Sequence, residues 1–457
     1  MATVLTEQDV FPWAESELGG RIVASTRQGG RESGGRPGWF VTIERPGGET
    51  FRAYVRADRG GDFGFVTEYT VQREAKILKL LRAEGIPVPE VLACTTRPSA
   101  MIQGFVEGAS DFIQIESAAE RDRLTRQFAQ IMARWHAIPV EKFTAAGLQT
   151  PAPGVNFLVK DLEVWERGHF PLLKEPVPLA TFACLWLRRN VPEAPARTVL
   201  LQGDAGPGQF IFRDGRIQAV VDWEFATFGD PMRDLAHIRT RDLWYPTGNL
   251  PKWFEYYSEY AGVPLDLEKI RYYSVIAMLT TALALGPVVQ HLDPCSEHTE
   301  WIAEDVCSKL ATATSLAEAL GIELEAPERP TADAPRVSQL FGVLEQNLRE
   351  EQLAYIQDEF RRQRLTMTLR LVTHLRNIGE IGREIEALEL ADMGKLLGRR
   401  PENLREGHRA LDALVRRAGP ELDEPLTRYF HRHALREEAL MRGAMGRAEG
   451  ARISPIV

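Results

Sequence analysis

The sequence predicts an α+β architecture with an all-α domain appended at its C-terminal end. Three observations predict it. Residues 39–43 and 51–56 alternate with period two, residues 199–222 read as strand, loop and hairpin, and a Pro-rich break at 326–335 precedes a stretch of helical composition. At 457 residues the chain exceeds one ordinary domain.

Residues 21–49 are rich in glycine, Gly29, Gly30, Gly34, Gly35 and Gly38 among them. The backbone of such a segment can approach phosphate oxygens closely. Pro46-Gly47-Gly48 supplies the turn of a β-hairpin. On its second strand, alternation places Arg52, Tyr54 and Arg56 on one face. A helix is expected over 66–84, where Val71, Ala75, Leu78 and Leu81 keep helical spacing and Glu74 lies mid-helix. Gly85-Ile86-Pro87 ends it. Residues 120–138 read as a helix closing on Trp135-His136. Trp165, His169 and Trp186 are expected in core packing, with the lining of a substrate pocket as the alternative. Residues 272–289 carry no charge over 18 residues, but Ser274, Thr280, Thr281, Gly286 and Pro287 interrupt them, so a buried helix is expected rather than a membrane span.

The most informative stretch is 200–236, LLQGDAGPGQFIFRDGRIQAVVDWEFATFGDPMRDLA. An apolar strand runs into Gly203-Asp204, and a Gly/Pro loop reaches Gln209, five residues after the aspartate. A hairpin turning at Asp214-Gly215 then delivers Asp222 at a strand end. Two strand exits, each carrying a carboxylate and joined by a tight hairpin, bring both acids to one site. Phosphoryl transfer needs such a pair: one carboxylate accepts the hydroxyl proton and the other holds Mg²⁺ against the nucleotide phosphates. Asp230 is placed to cap the helix that carries Asp234, a structural role for both. Glu224, two residues after Asp222, is a candidate for contact with a second metal ion.

Gly-Asp, an amide five residues on, a hairpin, Asp-Trp-Glu and Gly-Asp-Pro-x-x-Asp-Leu-Ala together resemble the aminoglycoside phosphotransferase family, and within it the branch associated with acyl-CoA dehydrogenases. The resemblance spans about residues 20–325. It implies a bilobal protein-kinase-like fold: an N-terminal nucleotide-binding lobe over 1–103, a catalytic and substrate lobe over 104–325, a linker at 326–335 and a helical domain over 336–457. It implies ATP and Mg²⁺ as cofactors and a small-molecule hydroxyl as acceptor, of hydroxyacyl or acyl-CoA type, with an antibiotic of the aminoglycoside or macrolide kind as the alternative. By the same resemblance Asp204 is the catalytic base and Gln209 with Asp222 holds the metal. Arg56, steadied by Glu74, takes the phosphates, and Gln103 and Phe105 lie at the adenine-binding hinge. The sequence departs from the family pattern twice: Gln202 replaces the usual histidine before Gly-Asp, and Gln209 replaces asparagine. A nucleotide- or metabolite-binding module without transfer is the reading those departures motivate.

Net charge is −9, which gives no nucleic-acid signature. Residues 336–457 hold 21 Lys+Arg against 19 Asp+Glu, +2, so the remainder carries −11. The four cysteines, Cys94, Cys184, Cys295 and Cys307, form no Cys-x-x-Cys pair, and the N-terminus lacks a basic-then-apolar pattern, so a cytoplasmic protein without a disulfide framework is expected. No membrane or nucleic-acid partner is expected, and the helical domain is a candidate for oligomerisation or protein docking. Its histidines, His374, His408, His431 and His433, show no ligand-like spacing.

Overall fold

The structure is a computed structural model and describes residues 5–28, 36–58, 68–152, 155, 157–195, 197–294, 297–325, 330 and 336–456. The glycines at 29, 30, 34 and 35, Cys295 and all of the expected linker except Pro330 lie outside them. In chain order the elements begin with α1 (Glu7–Leu18), β1 (Arg21–Arg27), β2 (Gly38–Glu44), β3 (Thr50–Ala57), α2 (Val71–Ala83), β4 (Val91–Thr96) and β5 (Ser99–Gly104). There follow α3 (Ala118–His136), α4 (Val140–Ala145), α5 (Leu158–His169), α6 (Pro178–Arg189), β6 (Val199–Leu201), β7 (Phe210–Arg213), β8 (Arg216–Val220) and β9 (Thr227–Gly229). The rest is helical: α7 (Met232–Trp244), α8 (Leu250–Ala261), α9 (Leu267–Gln290), α10 (His298–Leu320), α11 (Arg336–Asn347), α12 (Glu359–Leu397), α13 (Leu404–Val415) and α14 (Asp423–Met441).

The chain divides into two compact units, one of residues 1–168, 192–273 and 454–457, the other of 169–191 and 274–453. The first unit opens with an antiparallel sheet in the order β1-β2-β3-β5-β4. The expected hairpin is present, with Gly38 opposite Arg56 and Glu44 opposite Thr50, and Gly47 and Gly48 take the positive φ of its turn. Trp39, Val41, Ile43, Ala53, Val55 and Ala57 pack with Val10 and Ala14 of α1, so Arg52, Tyr54 and Arg56 project from the other face. Residues 21–27, at the start of the glycine-rich segment, form an edge strand. Helix α2 starts at a Thr70 N-cap, whose hydroxyl accepts from Arg73 N at 3.2 Å, and it buries Glu74 rather than exposing it.

Helix α3 seats the second hairpin. Gln127 donates to Gly215 O at 2.9 Å and accepts from Ile217 N at 3.2 Å, gripping the turn and one strand of β7–β8. Trp135 meets Trp223 with centroids 5.2 Å apart, and Phe128 meets Phe210 at the same separation, which fixes the hairpin over the core. Strand β9 returns to pair with β6, a pairing that no pattern in the sequence announced. Trp165, His169 and Trp186 are buried, as core packing requires. Helix α9 is long and apolar enough to cross a membrane by length and composition, yet 67% of its most apolar window is buried in the protein.

The second unit is built from both sides of 326–335, which differs from the expected division of the chain. Helix α10 packs against α12 and α14, and Thr299 Oγ1 donates to Met367 O at 3.0 Å. Helix α6 packs on α13, where Thr181 Oγ1 donates to Asp412 Oδ1 at 2.6 Å, and Phe182 meets Phe430 at 5.6 Å. A Pro-rich segment marks where chain composition changes, whereas burial of apolar faces decides which helices belong together. His433 also proves to have a partner: its Nδ1 lies 3.0 Å from Glu389, which Tyr429 and Arg436 share in a buried ionic network. Deleting residues 331–457 would uncover α10 and α6 and would also remove Ser454, whose carbonyl accepts from Arg239 Nε at 2.7 Å in the first unit. We predict that the truncated chain is insoluble or loses its cooperative thermal transition; a soluble protein with an unchanged Tm would contradict this.

Candidate active site

The site is built on two strand exits. Strand β6 ends at Leu201, and the chain turns through Gln202, Gly203 and Asp204. Gly203 has φ +84°, and a Cβ there would lie 2.2 Å from Phe225 O, so only glycine fits. Strand β8 ends at Val220, and Asp222 follows with φ +60°, an uncommon conformation for a residue with a side chain and one that clusters at functional sites. Val221 N donates to Gln209 O at 2.9 Å, tying the two exits together through the backbone.

Gln202 completes that tie. Its fully buried amide donates to Val221 O at 3.1 Å and to Asp222 O at 2.9 Å, while its oxygen accepts from Asp204 N at 2.9 Å. One side chain therefore satisfies three backbone groups on the two segments that carry the acids. The residue that departs from the family pattern is thus a structural bridge at the centre of the site. Beneath it, Asp234 accepts from Gln202 N at 2.9 Å and Gly203 N at 3.2 Å, and lies 3.1 Å from His136 Nε2. Burial alone would raise the Asp234 carboxyl, but His136 and these amides hold it below the usual range. His136 Nδ1 contacts Tyr257 Oη at 2.8 Å, consistent with a packed histidine. Asp230 Oδ1 accepts from Met232 N at 3.0 Å at the start of α7, as expected of a cap.

Asp204 accepts from the Gln209 amide nitrogen and lies 3.2 Å from Arg241 Nη1. Burial pushes its carboxyl up to about 6, with Arg241 opposing the shift. Its side chain keeps 25% of its surface, so the carboxylate has a buried base and an open edge. Arg241 is seated by its Nε donating to Pro207 O at 2.9 Å and by the space that Gly208 leaves: a Cβ there would lie 2.5 Å from the guanidinium.

Arg56 is held by three carboxylates: Glu74 at 3.0 Å, Asp222 at 2.9 Å and Glu224 at 3.0 Å. The expected pairing of Arg56 with Glu74 is present. Burial would lower the Arg56 guanidinium, but Glu74, Glu224 and Asp222 hold it well above its ordinary value. Burial outweighs Arg56 and Arg36 at Glu74, whose carboxyl is raised; at Asp222 burial is outweighed by Arg56, and the carboxyl is lowered. Arg36 adds contacts to Glu74 at 3.1 Å, Glu224 at 3.3 Å and Asp58 at 3.4 Å. Two arginines thus face four carboxylates, a formal balance of −2 among the described residues. Glu224 lies between two arginines, so its open coordination capacity is smaller than its position suggested.

No cluster of three or more His, Cys, Asp or Glu with metal-binding geometry occurs among the described residues. Mg²⁺ does not need one, because one or two protein oxygens plus phosphates and water complete its shell. Asp222, 35% exposed, and the amide oxygen of Gln209 fit that requirement, and the −2 balance favours a divalent cation. Gln103 is buried near the end of β5, opposite Tyr54. Phe105 follows that strand, with the Arg52 guanidinium 3.6 Å over its ring and Phe40 edge-on at 5.9 Å. The structure therefore gathers Asp204, Gln209, Asp222, Arg56 and Glu74 into one network, with Gln103 on the same sheet as Arg56 and Phe105 just past the end of its strand. Arg36 and Arg241 were missed. Arg36 carried no signal, but Arg241 lies seven residues after Asp234, two turns along the same helix face.

The sequence profile of the phosphotransferase enzyme family (APH) matches residues 35–273. Acyl-CoA dehydrogenase family member 11 of Rattus norvegicus is 28% identical over 215 residues, 45% of this chain and 27% of that protein. The Homo sapiens protein of the same name is 25% identical over 233 residues, 49% and 29%. The chain thus spans little more than a quarter of the length of these relatives. A solved structure from Ralstonia eutropha JMP134, assigned as an aminoglycoside phosphotransferase, superposes with a TM-score of 0.51 at 19% identity, covering 70% of this chain and 99% of that one. That likeness shows a shared kinase-like fold. The profile match covers more than half of the sequence, and the chain belongs to the phosphotransferase enzyme family.

Proposed function

We propose that this chain transfers the terminal phosphoryl group of ATP to a hydroxyl of a small molecule. The observation that carries the reading is the joining of Asp204 and Asp222 by one buried amide, Gln202, with Arg56 and Glu74 alongside. In this reading Asp204 orients the acceptor hydroxyl and takes its proton at the exposed edge of the carboxylate. Gln209 and Asp222 hold Mg²⁺, which when bound neutralises charge on the phosphates. Arg56, positioned by Glu74, would hold phosphate oxygens, and Gln103 and Phe105 would contact the base. Rate enhancement comes from positioning and preorganised charge rather than from covalent chemistry with the protein.

The likeness to acyl-CoA dehydrogenase family member 11 supports a hydroxyacyl or acyl-CoA-type acceptor; the likeness to an aminoglycoside phosphotransferase supports an antibiotic as the second candidate. A screen of hydroxylated metabolites and antibiotics for ATP-dependent phosphate incorporation separates the two. Failure of every acceptor, with MgATP bound tightly, would favour a binding module instead.

Asp204→Asn is expected to lower turnover by about 10²–10⁴ while leaving ATP binding nearly intact. Retention of most wild-type turnover would remove Asp204 from the base role. The pH profile gives a second test. With the Asp204 carboxyl near 6, kcat/KM should fall as pH drops through about 6, because protonation removes the base. Arg241 opposes that protonation, so Arg241→Gln should move the acidic limb to higher pH. An unmoved limb would show that another group sets it.

A further inference from the structure

The loop that joins Asp204 to Gln209, Ala205-Gly206-Pro207-Gly208, carries no cation of its own. One reaches it from outside: Arg241, near the end of α7, lies along the loop. A Cβ at Gly206 would lie 2.9 Å from Arg241 Cβ and 3.0 Å from its Cγ, and one at Gly208 would lie 2.5 Å from Nη2. Both glycines hold positive φ, +139° and +84°. The arginine therefore runs past the two loop positions that have no side chain. Its Nε donates to Pro207 O at 2.9 Å, and the guanidinium stands 4.7 Å from the centre of the Tyr245 ring. Together these contacts fix the guanidinium in one place.

That place is beside the base. Arg241 Nη1 donates to Asp204 Oδ2 at 3.2 Å, and Gln209 Nε2 donates to the same oxygen. Among the described residues Oδ1 accepts no hydrogen bond, which leaves it for the acceptor hydroxyl. Nη2 of Arg241 likewise donates to no described residue, and 16% of the side chain is exposed. Arg56, on the Asp222 side, has Nη1 on Glu74 and Nη2 on Asp222 and Glu224. Burial is the largest influence on the Asp204 and Asp222 carboxyls. The Arg241 charge opposes it at both, behind Arg56 at Asp222. Arg241 thus acts on the two acids between which a phosphoryl group would pass, and it alone of the two arginines keeps an open Nη donor among the described residues.

We propose that Arg241 is a catalytic residue of the transfer, its open Nη2 edge donating to an equatorial oxygen of the phosphoryl group in flight. The proposal rests on the phosphotransferase reading and adds the group that meets charge at the attacking end. As the acceptor oxygen bonds to phosphorus, the bond from phosphorus to the bridging oxygen of ADP breaks and that oxygen leaves with ADP. The hydroxyl proton passes to Asp204 Oδ1, and charge spreads over the three equatorial oxygens. A guanidinium already fixed beside Asp204 meets those oxygens as the group moves toward the acceptor, so it stabilises the transition state more than bound ATP. Arginines in this role contribute about 10³–10⁵ in rate at other phosphoryl-transfer sites.

Fluoroaluminate, which with MgADP mimics the phosphoryl group in transit, tests this without a known acceptor. In calorimetric titrations of the full chain, the wild type should bind MgADP about 10²-fold or more tightly when fluoroaluminate is present. Arg241→Gln should lose that gain while binding MgADP alone and MgATP within about threefold of the wild type. Arg241→Lys keeps the charge but not the forked edge, and should lose most of the gain as well. Full gain in either variant would overturn the proposal. So would equal losses for MgADP alone and for the mimic, because an arginine that only holds the loop would act on both through Gln209. A wild type that binds MgATP yet gains nothing from fluoroaluminate would overturn the phosphotransferase reading, and this proposal with it.

Discussion

The buried amide of Gln202 is the constraint on which the site depends. Two carboxylates on separate chain segments repel each other, and neither segment is regular structure at the point where its acid emerges. The hydrogen bonds of Gln202 to Val221 O, Asp222 O and Asp204 N replace what a strand ladder would otherwise supply. Asp234 holds the other side of the same turn through the amides of residues 202 and 203, with His136 behind it. Leaving one buried polar group unpaired costs about 1–3 kcal/mol, so these bonds matter chiefly through what their loss would expose.

The two acids receive different treatment from one neighbourhood. Asp204 is raised by burial, with Arg241 as the nearest opposing cation, which suits a group that must take up a proton. Asp222 is lowered by Arg56, which suits a group that must stay ionised beside a cation. Arg56 in turn divides itself among Glu74, Asp222 and Glu224. That sharing positions the guanidinium, and in the proposed reaction it supplies carboxylates that would give up part of their hold to phosphate.

Much of this was legible in the sequence. Asp204, Gln209 and Asp222 stand at fixed offsets from strand ends, and such offsets survive folding because a strand exit and a two-residue turn leave little freedom. Glu74 could be named only because the surrounding motif lifted it above an ordinary helix glutamate. Gln202 was visible solely as a departure, since its role rests on three contacts with backbone 2 to 20 residues away. Arg36 and Arg241 reach the site through side-chain direction, which spacing alone does not give. The Pro-rich segment at 326–335 misplaced the unit boundary because composition records where the chain changes character, whereas α6 and α10 join the later helices through buried contacts.

The most direct test of the bridge is calorimetric titration of MgATP into the wild type and into Gln202→Ala, with circular dichroism confirming that both are folded. Losing a bridge worth at least about 1.4 kcal/mol to the competent geometry should weaken Mg²⁺-dependent binding about tenfold or more. A folded Gln202→Ala protein that binds MgATP as tightly as the wild type would contradict the account.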